Sequence, residues 1–448
     1  MKINRIRIEN LFDSFTHEIN FSKESNITMI LGRNGLGKTV VLKIIKAIFS
    51  GDFYQLQNIE FSKILIDLDD TMSWHIIKEP IENENEETLE HRLNLLLIEN
   101  EEEIDRIDFS IINENFEKLK RAISRHIPAP LRQIDNDEWH DRRSDIRYTT
   151  RELIEKYREY IPNEIFTNHV VFPDWFSSKI NDLDVALIET QRLLTLSTDH
   201  EDYKYRDRGH VSYKNTVEEY SEHLVQQIHY QLAKSSELST KLDRTYPNRL
   251  IQRLKKTTNV SQEDLNLSLR NLEEKRERLQ KVGLLDLQNQ PHINIIDEEQ
   301  DEKIRDVLQV YIEDSRQKLD VYDELADRID LFIKIVNERF LKKKLTISRN
   351  EGFHFESTKN GKDIPLKSLS SGEQHILVLY YELMFKIKPG TLLLMDEPEI
   401  SLHIAWQKRI ISDLQEILKL TPMEIIIATH SPAVIGSNWD LTVELNEE

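Results

Sequence analysis

Hydrophobic and polar positions change period along the chain. Ile3 to Glu9 alternates apolar and polar residues, which predicts a strand with one buried face. Asn26 to Leu31 carries Ile27, Met29, Ile30 and Leu31 and reads as a buried strand. A Gly-rich turn follows at Gly32 to Gly37, then a helical pattern from Lys38 through Phe49. Strand, Gly-rich turn and helix in that order form a phosphate-binding unit. Further on, Val185 to Ile188 is a strand-like run, and Thr391 to Met395 and Glu424 to Ala428 read as buried strands. Helical patterns cover Glu373 to Phe385 and His403 to Leu418.

Between these segments the pattern is helical. Val217, Leu224, Ile228 and Leu232 sit at four- and seven-residue spacings, as do Leu265, Leu269, Leu272 and Leu279. A longer series runs Ile304, Leu308, Tyr311, Leu319, Tyr322, Ala326, Ile329, Ile333, Val336 and Phe340. Apolar residues a heptad apart predict long helices packed as an antiparallel arm; an ordinary helical bundle fits the same spacing. Pro247 and Pro291 are expected to break the helices. The expected division is a mixed α/β region over 1–195, a helical region over 196–345 and a return to α/β over 346–448. No Gly/Ser linker sets the helical region apart, so it reads as an insertion.

Composition narrows the class. The 448 residues carry a formal net charge of -20, with 31% charged residues, which suits exposed helix. Only 11 Gly and 12 Pro argue against an all-β fold built on tight turns. The chain has no Cys, which excludes disulfides, thiolate zinc sites and a cysteine nucleophile. No apolar run approaches the ~20 residues that span a bilayer, and the N-terminus lacks a signal-peptide core. No membrane partner and a cytoplasmic location are the expectation. The acidic balance disfavours nucleic-acid binding over the whole surface but leaves room for a local groove. Glu79 to Glu117 is strongly acidic and reads as a solvated hairpin or helix face. The stretch after it holds Lys118, Lys120, Arg121, Arg125, Arg132, Arg142, Arg143, Arg147 and Arg151 with Trp139 and Tyr148. It fits either a groove for an acidic partner or a helix pairing with the acidic segment.

Five short segments carry chemistry. Gly32-Arg33-Asn34-Gly35-Leu36-Gly37-Lys38-Thr39 satisfies the phosphate-loop spacing. Its glycines let the backbone wrap phosphates, Lys38 reaches the β- and γ-phosphates, and the Thr39 hydroxyl ligates Mg²⁺. Leu392 to Met395 ends in Asp396 and Glu397; Asp396 can hold Mg²⁺ through water, and Glu397 can orient or deprotonate an attacking water. Ser371 and Gly372, followed by Glu373, sit at a predicted helix start that can bind a γ-phosphate; taken alone an ordinary Ser cap with Glu373 in the first turn is the better reading, and beside the other motifs the phosphate reading prevails. His430 follows a buried strand and can contact a γ-phosphate or the water. Gln191, ending the run from Val185, is a further candidate for the metal or the water. Pro173-Asp174 with Lys179 is too sparse for a nuclease.

Together these segments resemble the head of an ABC-type ATPase of the SMC, RecF and OLD class. GRNGLGKT is similar to its Walker A motif, LLLMDE to Walker B, LSSGEQ to the signature, ATHSP to the switch histidine and TQR to the Q-loop. Ile6-Arg7-Ile8-Glu9-Asn10-Leu11 resembles the first strand of that class, and DEPEISLH with Trp406-Gln407 the OLD-like branch. The resemblance implies an α/β P-loop head with a long helical insertion, ATP and Mg²⁺ as ligands, and ATP hydrolysis. It implies a homodimer, or a higher homo-oligomer, in which each ATP touches the Walker motifs of one chain and Ser371-Gly372-Glu373 of the other. OLD nucleases carry a TOPRIM domain after the ATPase, and the residues beyond His430 leave no room for one. A head without an effector resembles the ATPase subunits of anti-phage systems, above all the PtuA family of Septu, whose HNH nuclease is a second protein. The PARIS ATPases, with a TOPRIM-type effector in trans, are the close alternative. Nucleic acid would be reached through the complex. A RecF-like repair ATPase that binds DNA directly is the rival expectation.

Overall fold

In the computed structural model, residues 3–21, 25–57, 59–68, 71–80, 91–109, 131–134, 138–141, 146–149, 153, 172–181, 183–189, 194–196, 213–255, 261–285 and 301–445 are described. The alternating N-terminal segment forms β1 (Arg5–Leu11), which hairpins into β2 (Phe15–Asn20). The apolar run forms β3 (Ile27–Leu31) and leads into α1 (Lys38–Phe49). There follow β4 (Lys63–Asp67), β5 (Met72–Pro80), β6 (His91–Glu99) and β7 (Glu102–Asp108). A small sheet holds β8 (Leu131–Gln133), β9 (Glu138–Asp141) and β10 (Ile146–Thr149). Then come β11 (Val185–Ile188) and the hairpin of β12 (Leu194–Leu196) with β13 (Tyr213–Asn215). After the helical region, β14 (Lys343–Ser348) pairs with β15 (Gly352–Ser357), and β16 (Leu392–Asp396), β17 (Glu424–Ala428) and β18 (Thr442–Glu444) complete the set.

Two sheets enclose α1. One is antiparallel, ordered β2-β1-β4-β5-β6-β7; the other is parallel, ordered β11-β16-β17-β3-β18. Side chains alternate across β16. Leu392 and Leu394 pack with Val41, Ile45 and Ile48 of α1, and with Ile6, Ile64 and Trp74 of the antiparallel sheet. Leu393 and Met395 face the opposite way, into a core shared with the helical region. The central parallel strands β3, β16 and β17 are buried on both faces, which is why they read as unbroken apolar runs.

The helical region forms α2 (Thr216–Lys255), α3 (Gln262–Lys281), α4 (Glu302–Asp320) and α5 (Asp323–Asn337). At 1.5 Å per residue, α2 spans about 60 Å. Helix α4 packs against both α2 and α3. Leu265 and Leu269 meet Ile312 there, a position outside the expected series, with the expected Leu308 and Tyr311 packed alongside. Pairs flank this seam: Arg253 with Glu313 (3.2 Å), Lys318 with Asp243 (2.9 Å) and Lys275 with Asp323 (2.7 Å). Pro247 does not break α2; the helix runs through it. Side chains around it tie this turn to its own backbone and to α4. The Thr245 hydroxyl donates to the Lys241 and Leu242 carbonyls (both 3.1 Å), and Arg249 donates to Leu242 (2.9 Å) while binding Asp314 of α4 (2.7 Å). Packing against α4 thus offsets a local cost of about 3 kcal/mol.

Two helices near the C-terminus also depart from expectation. The helix α6 (Ser371–Tyr381) ends early and continues as a π turn at Glu382–Lys386, whose Met384 and Phe385 carbonyls accept Arg328 (3.0 Å) and Gln227 (3.4 Å) of the helical region. The pattern from His403 to Leu418 is split into a short turn, Ile404–Gln407, and α7 (Ile410–Leu420). The short turn is tied backwards, because Gln407 donates to the Leu402 carbonyl (3.0 Å) and Trp406 stacks on Phe340. The acidic segment is a hairpin where described, with β7 exposed on its outer strand. In the basic stretch, Arg132 and Arg147 are exposed and Trp139 is buried, whereas Lys118, Lys120, Arg121, Arg125, Arg142, Arg143 and Arg151 lie outside the described residues. So do Gln191 and Pro291. Among the described residues, no helix is long and apolar enough to cross a membrane.

Candidate functional site

The carboxyl ends of parallel strands form one edge, the place where α/β sheets hold ligands. From β3 the chain enters the loop 32–37. Gly35 (φ 95°) and Gly37 (φ 83°) occupy left-handed backbone that other residues adopt only under strain. A Cβ at Gly37 would also lie 2.9 Å from Leu11. No side chain caps α1, so its first N–H groups remain available to an anion at the positive end of the helix. Lys38 is buried, and its ammonium donates to the Gly32 (2.8 Å) and Arg33 (3.3 Å) carbonyls. An ammonium has three N–H groups, so one remains for a phosphate oxygen. Asn34 is an exposed residue of the same loop.

Across the sheet, the Thr39 hydroxyl donates to the Asp396 carboxylate at 2.9 Å. This bond joins residues 357 positions apart. It makes the predicted Mg²⁺ ligands neighbours, and a hydroxyl beside a carboxylate is the hard oxygen set that this ion takes. Burial pushes the Asp396 carboxyl above its ordinary value. The Thr39 hydroxyl opposes the rise, the charge of Glu397 adds to it, Lys43 opposes it and Glu189 adds to it. A cation placed there would relieve this charge.

Glu397 follows on backbone at φ 44°, the left-handed region, with its N–H donating to Ala428 (2.9 Å). Such strain in a residue with a side chain concentrates at functional sites. The turn aims Glu397 at β17, where His430 Nδ1 lies 3.2 Å from its carboxylate. Thus Lys38, Thr39, Asp396, Glu397 and His430 gather on one edge. Gln191 lies outside the described residues; Glu189, just before it, is close enough for its charge to bear on Asp396.

Of Ser371, Gly372 and Glu373, the last is engaged within its own chain. Ser370 caps α6 and Glu373 closes the reciprocal box, accepting the Ser370 N–H at 2.8 Å. Lys343 of β14 also donates to Glu373 (2.7 Å). Burial opposes the charge on Glu373, yet Lys343 and Ser370 hold its carboxyl below the ordinary value. A Cβ on Gly372 would stand 3.0 Å from the Ser401 carbonyl and 3.4 Å from the Trp406 ring, so the start of α6 packs on the loop that follows Glu397. The capping arrangement is therefore present, and the carboxylate of Glu373 is occupied by it. Sequence reasoning missed Lys343 and Glu189, as well as Glu399, whose buried carboxylate accepts the Thr429 hydroxyl at 2.6 Å. Only the acidic run Asp396-Glu397-Pro398-Glu399 hinted at the last.

A match to the family described as "AAA domain, putative AbiEii toxin, Type IV TA system" spans residues 27–436, both lobes and the helical region included. The chain belongs to that family. It is an α/β P-loop ATPase head of this AAA-domain family with a long helical insertion, and the family implies nucleotide binding, usually with Mg²⁺. No curated protein matches the chain. Among solved structures, the Smc head domain with an extended coiled coil from Pyrococcus furiosus, bound to the C-terminal domain of ScpA, is 12% identical, with 100% of this chain and 94% of that chain covered and a TM-score of 0.33. The SMC head domain from Thermotoga maritima is 11% identical, with 99% and 94% covered and a TM-score of 0.34. Scores this low add nothing to the family assignment.

Proposed function

We propose that this AAA-domain chain is an ABC-type ATPase that binds ATP with Mg²⁺ on the loop Gly32–Thr39 and hydrolyses it to ADP and phosphate. The observation that carries the reading is the bond between the Thr39 hydroxyl and the Asp396 carboxylate, which sets two distant motifs side by side. Loop amides and Lys38 hold the phosphates. Thr39 and Asp396 hold Mg²⁺, which supplies positive charge to the phosphate oxygens when bound. Glu397 accepts a proton from the attacking water, and His430 keeps that carboxylate aimed. Gln191 is the further candidate for a contact to the metal or the water.

The wider role is a defence-related ATPase that forms an ATP-bridged homodimer and regulates a nuclease supplied by a second protein. The family description, with its AbiEii-type toxin, supports defence. Size and layout favour a PtuA-like subunit with an HNH partner over a PARIS-like one with a TOPRIM-type partner; the motifs do not separate the two. Exposed Ile400 and Ile404, on the loop beneath Gly372, support a second copy docking beside Ser371 and Gly372. The test compares the parent chain with Glu397→Gln and Lys38→Ala, measuring phosphate release and mass with and without ATP. The reading expects turnover in the parent alone and an ATP-dependent dimer that Glu397→Gln retains. Phosphate release equal in the parent and Lys38→Ala would sink it. A dimer that retains DNA by itself would move the role to a repair clamp.

A further inference from the structure

Beneath the Glu397–His430 pair lies a closed circuit of polar groups that the reaction as written does not use. Glu399 is 4% exposed and Thr429 0%. The Thr429 hydroxyl donates to Glu399 Oε1 (2.6 Å) and accepts the N–H of Ser431 (3.1 Å). The Ser431 hydroxyl donates to Gln407 Oε1 (2.8 Å), and Gln407 Nε2 donates back to the Glu399 carbonyl (3.3 Å) and to the Leu402 carbonyl (3.0 Å). The circuit closes on itself and ties the loop after Asp396 to the three residues that contain His430.

We propose that Glu399 and Gln407 are positioning residues that hold His430 against Glu397 through this ring. The inference rests on the reading that Glu397 and His430 act on ATP. Three observations carry it. First, the two loops meet in the ring on either side of the His430–Glu397 contact (3.2 Å), so neither can shift without breaking a bond. Secondly, Glu397 and Ser401 both sit at positive φ (44° and 65°), so the loop is held in a strained shape that something must over-determine. Thirdly, Glu399 Oε2 is buried with no hydrogen-bond partner among the described residues. A half-satisfied buried carboxylate is a poor choice for stability alone, and in native folds such a group calls for an explanation. Holding Thr429, and so the next residue His430, is that explanation.

The test is a cycle of variants read by kinetics. Thr429→Val removes the hydroxyl shared by Glu399 and Ser431, and Gln407→Met opens the other side of the ring. Each should lower kcat about tenfold while KM for ATP moves less than about twofold. Thr429→Ser, which keeps the hydroxyl, should recover most of the loss. In a His430→Ala background, Thr429→Val and Gln407→Met should cost less than about twofold further, because residues that act as one unit are not additive. Full additivity in that background, a loss confined to KM, or no rescue by Ser overturns the inference. Amide exchange with a non-hydrolysable ATP analogue supplies a readout free of turnover. Thr429→Val should speed exchange in both 397–407 and 429–431 and leave 32–39 unchanged; acceleration in one loop alone, or in neither, overturns the ring. A parent that releases no phosphate sinks the ATPase reading, and exchange then still decides the ring.

Discussion

Two buried aspartates show how differently the two halves of this molecule treat charge. Asp413 on α7 lies at the root of the helical region, paired with the buried guanidinium of Arg339 and with the hydroxyl of Tyr380 on α6. Arg339 stands over the Tyr380 ring and also donates to the Ile335 carbonyl (2.7 Å). Burial pushes the Asp413 carboxyl up, against the pull of Tyr380 and Arg339. Asp396, at the phosphate edge, is also pushed up by burial, but it leans on a neutral hydroxyl with the charges of Glu397 and Glu189 nearby. One acid is answered by a cation of the protein itself and serves to join three elements. The other has the charges of Glu397 and Glu189 nearby, opposed by Lys43, and shares its carboxylate with a hydroxyl that is itself a metal-ligand type. Removing one partner of a buried pair strands the other, whereas an acid pushed up by burial at a ligand edge is a candidate for chemistry.

The comparison can be broken in order of effect. Removing the cation at the root by Arg339→Met strands Asp413 and should cost about 3–5 kcal/mol in urea unfolding. Near-parental stability would mean that the cluster is not a structural joint. At the phosphate edge, Lys38→Ala should weaken ATP at least about tenfold, or ~1.4 kcal/mol, measured by titration calorimetry. Tight binding by that variant would overturn the loop assignment. Asp396→Asn separates the two acids most sharply. A neutral amide relieves the buried charge, so ligand-free stability should hold or rise by up to about 1 kcal/mol, while Mg²⁺-dependent ATP binding is lost. A clear loss of ligand-free stability would place Asp396 with Asp413 as structural.

The smallest effect is at Glu373. Its folded-state carboxyl is held below the ordinary value of 4.5, so its contribution to stability is present above that value and lost as pH falls through the lower folded one. Unfolding curves of the parent and Glu373→Gln should therefore differ at neutral pH and converge in acid. A gap that stays constant with pH would show that Lys343 and Ser370 do not stabilise the charged form.

Much of the site was readable in advance because its signals are local. The helix Lys38–Phe49 begins where the glycines end, and Glu424–Ala428 is a strand because five apolar-rich residues leave it no solvent face. Other features depend on partners remote in sequence. Pro247 reads as a break until Asp314 anchors Arg249 across the seam. The signature segment reads as a ligand site or a helix cap, and its pattern does not reveal that Glu373 meets Lys343, 30 positions away. The Glu399–Thr429 bond joins two loops that a linear pattern cannot bring together.

The sequence by itself determined the phosphate loop, the acidic strand end, the histidine strand and the presence of long amphipathic helices. Those follow from backbone freedom at glycine, from apolar runs and from spacing, which act over a few residues. Tertiary structure alone decided that β17 lies between β3 and β16, that Thr39 meets Asp396, and that β14 holds the start of α6 while the helical region holds the π turn after it. Hydrogen bonds and buried charges are satisfied in space, and only the packed sheet and helices determine which groups are within reach.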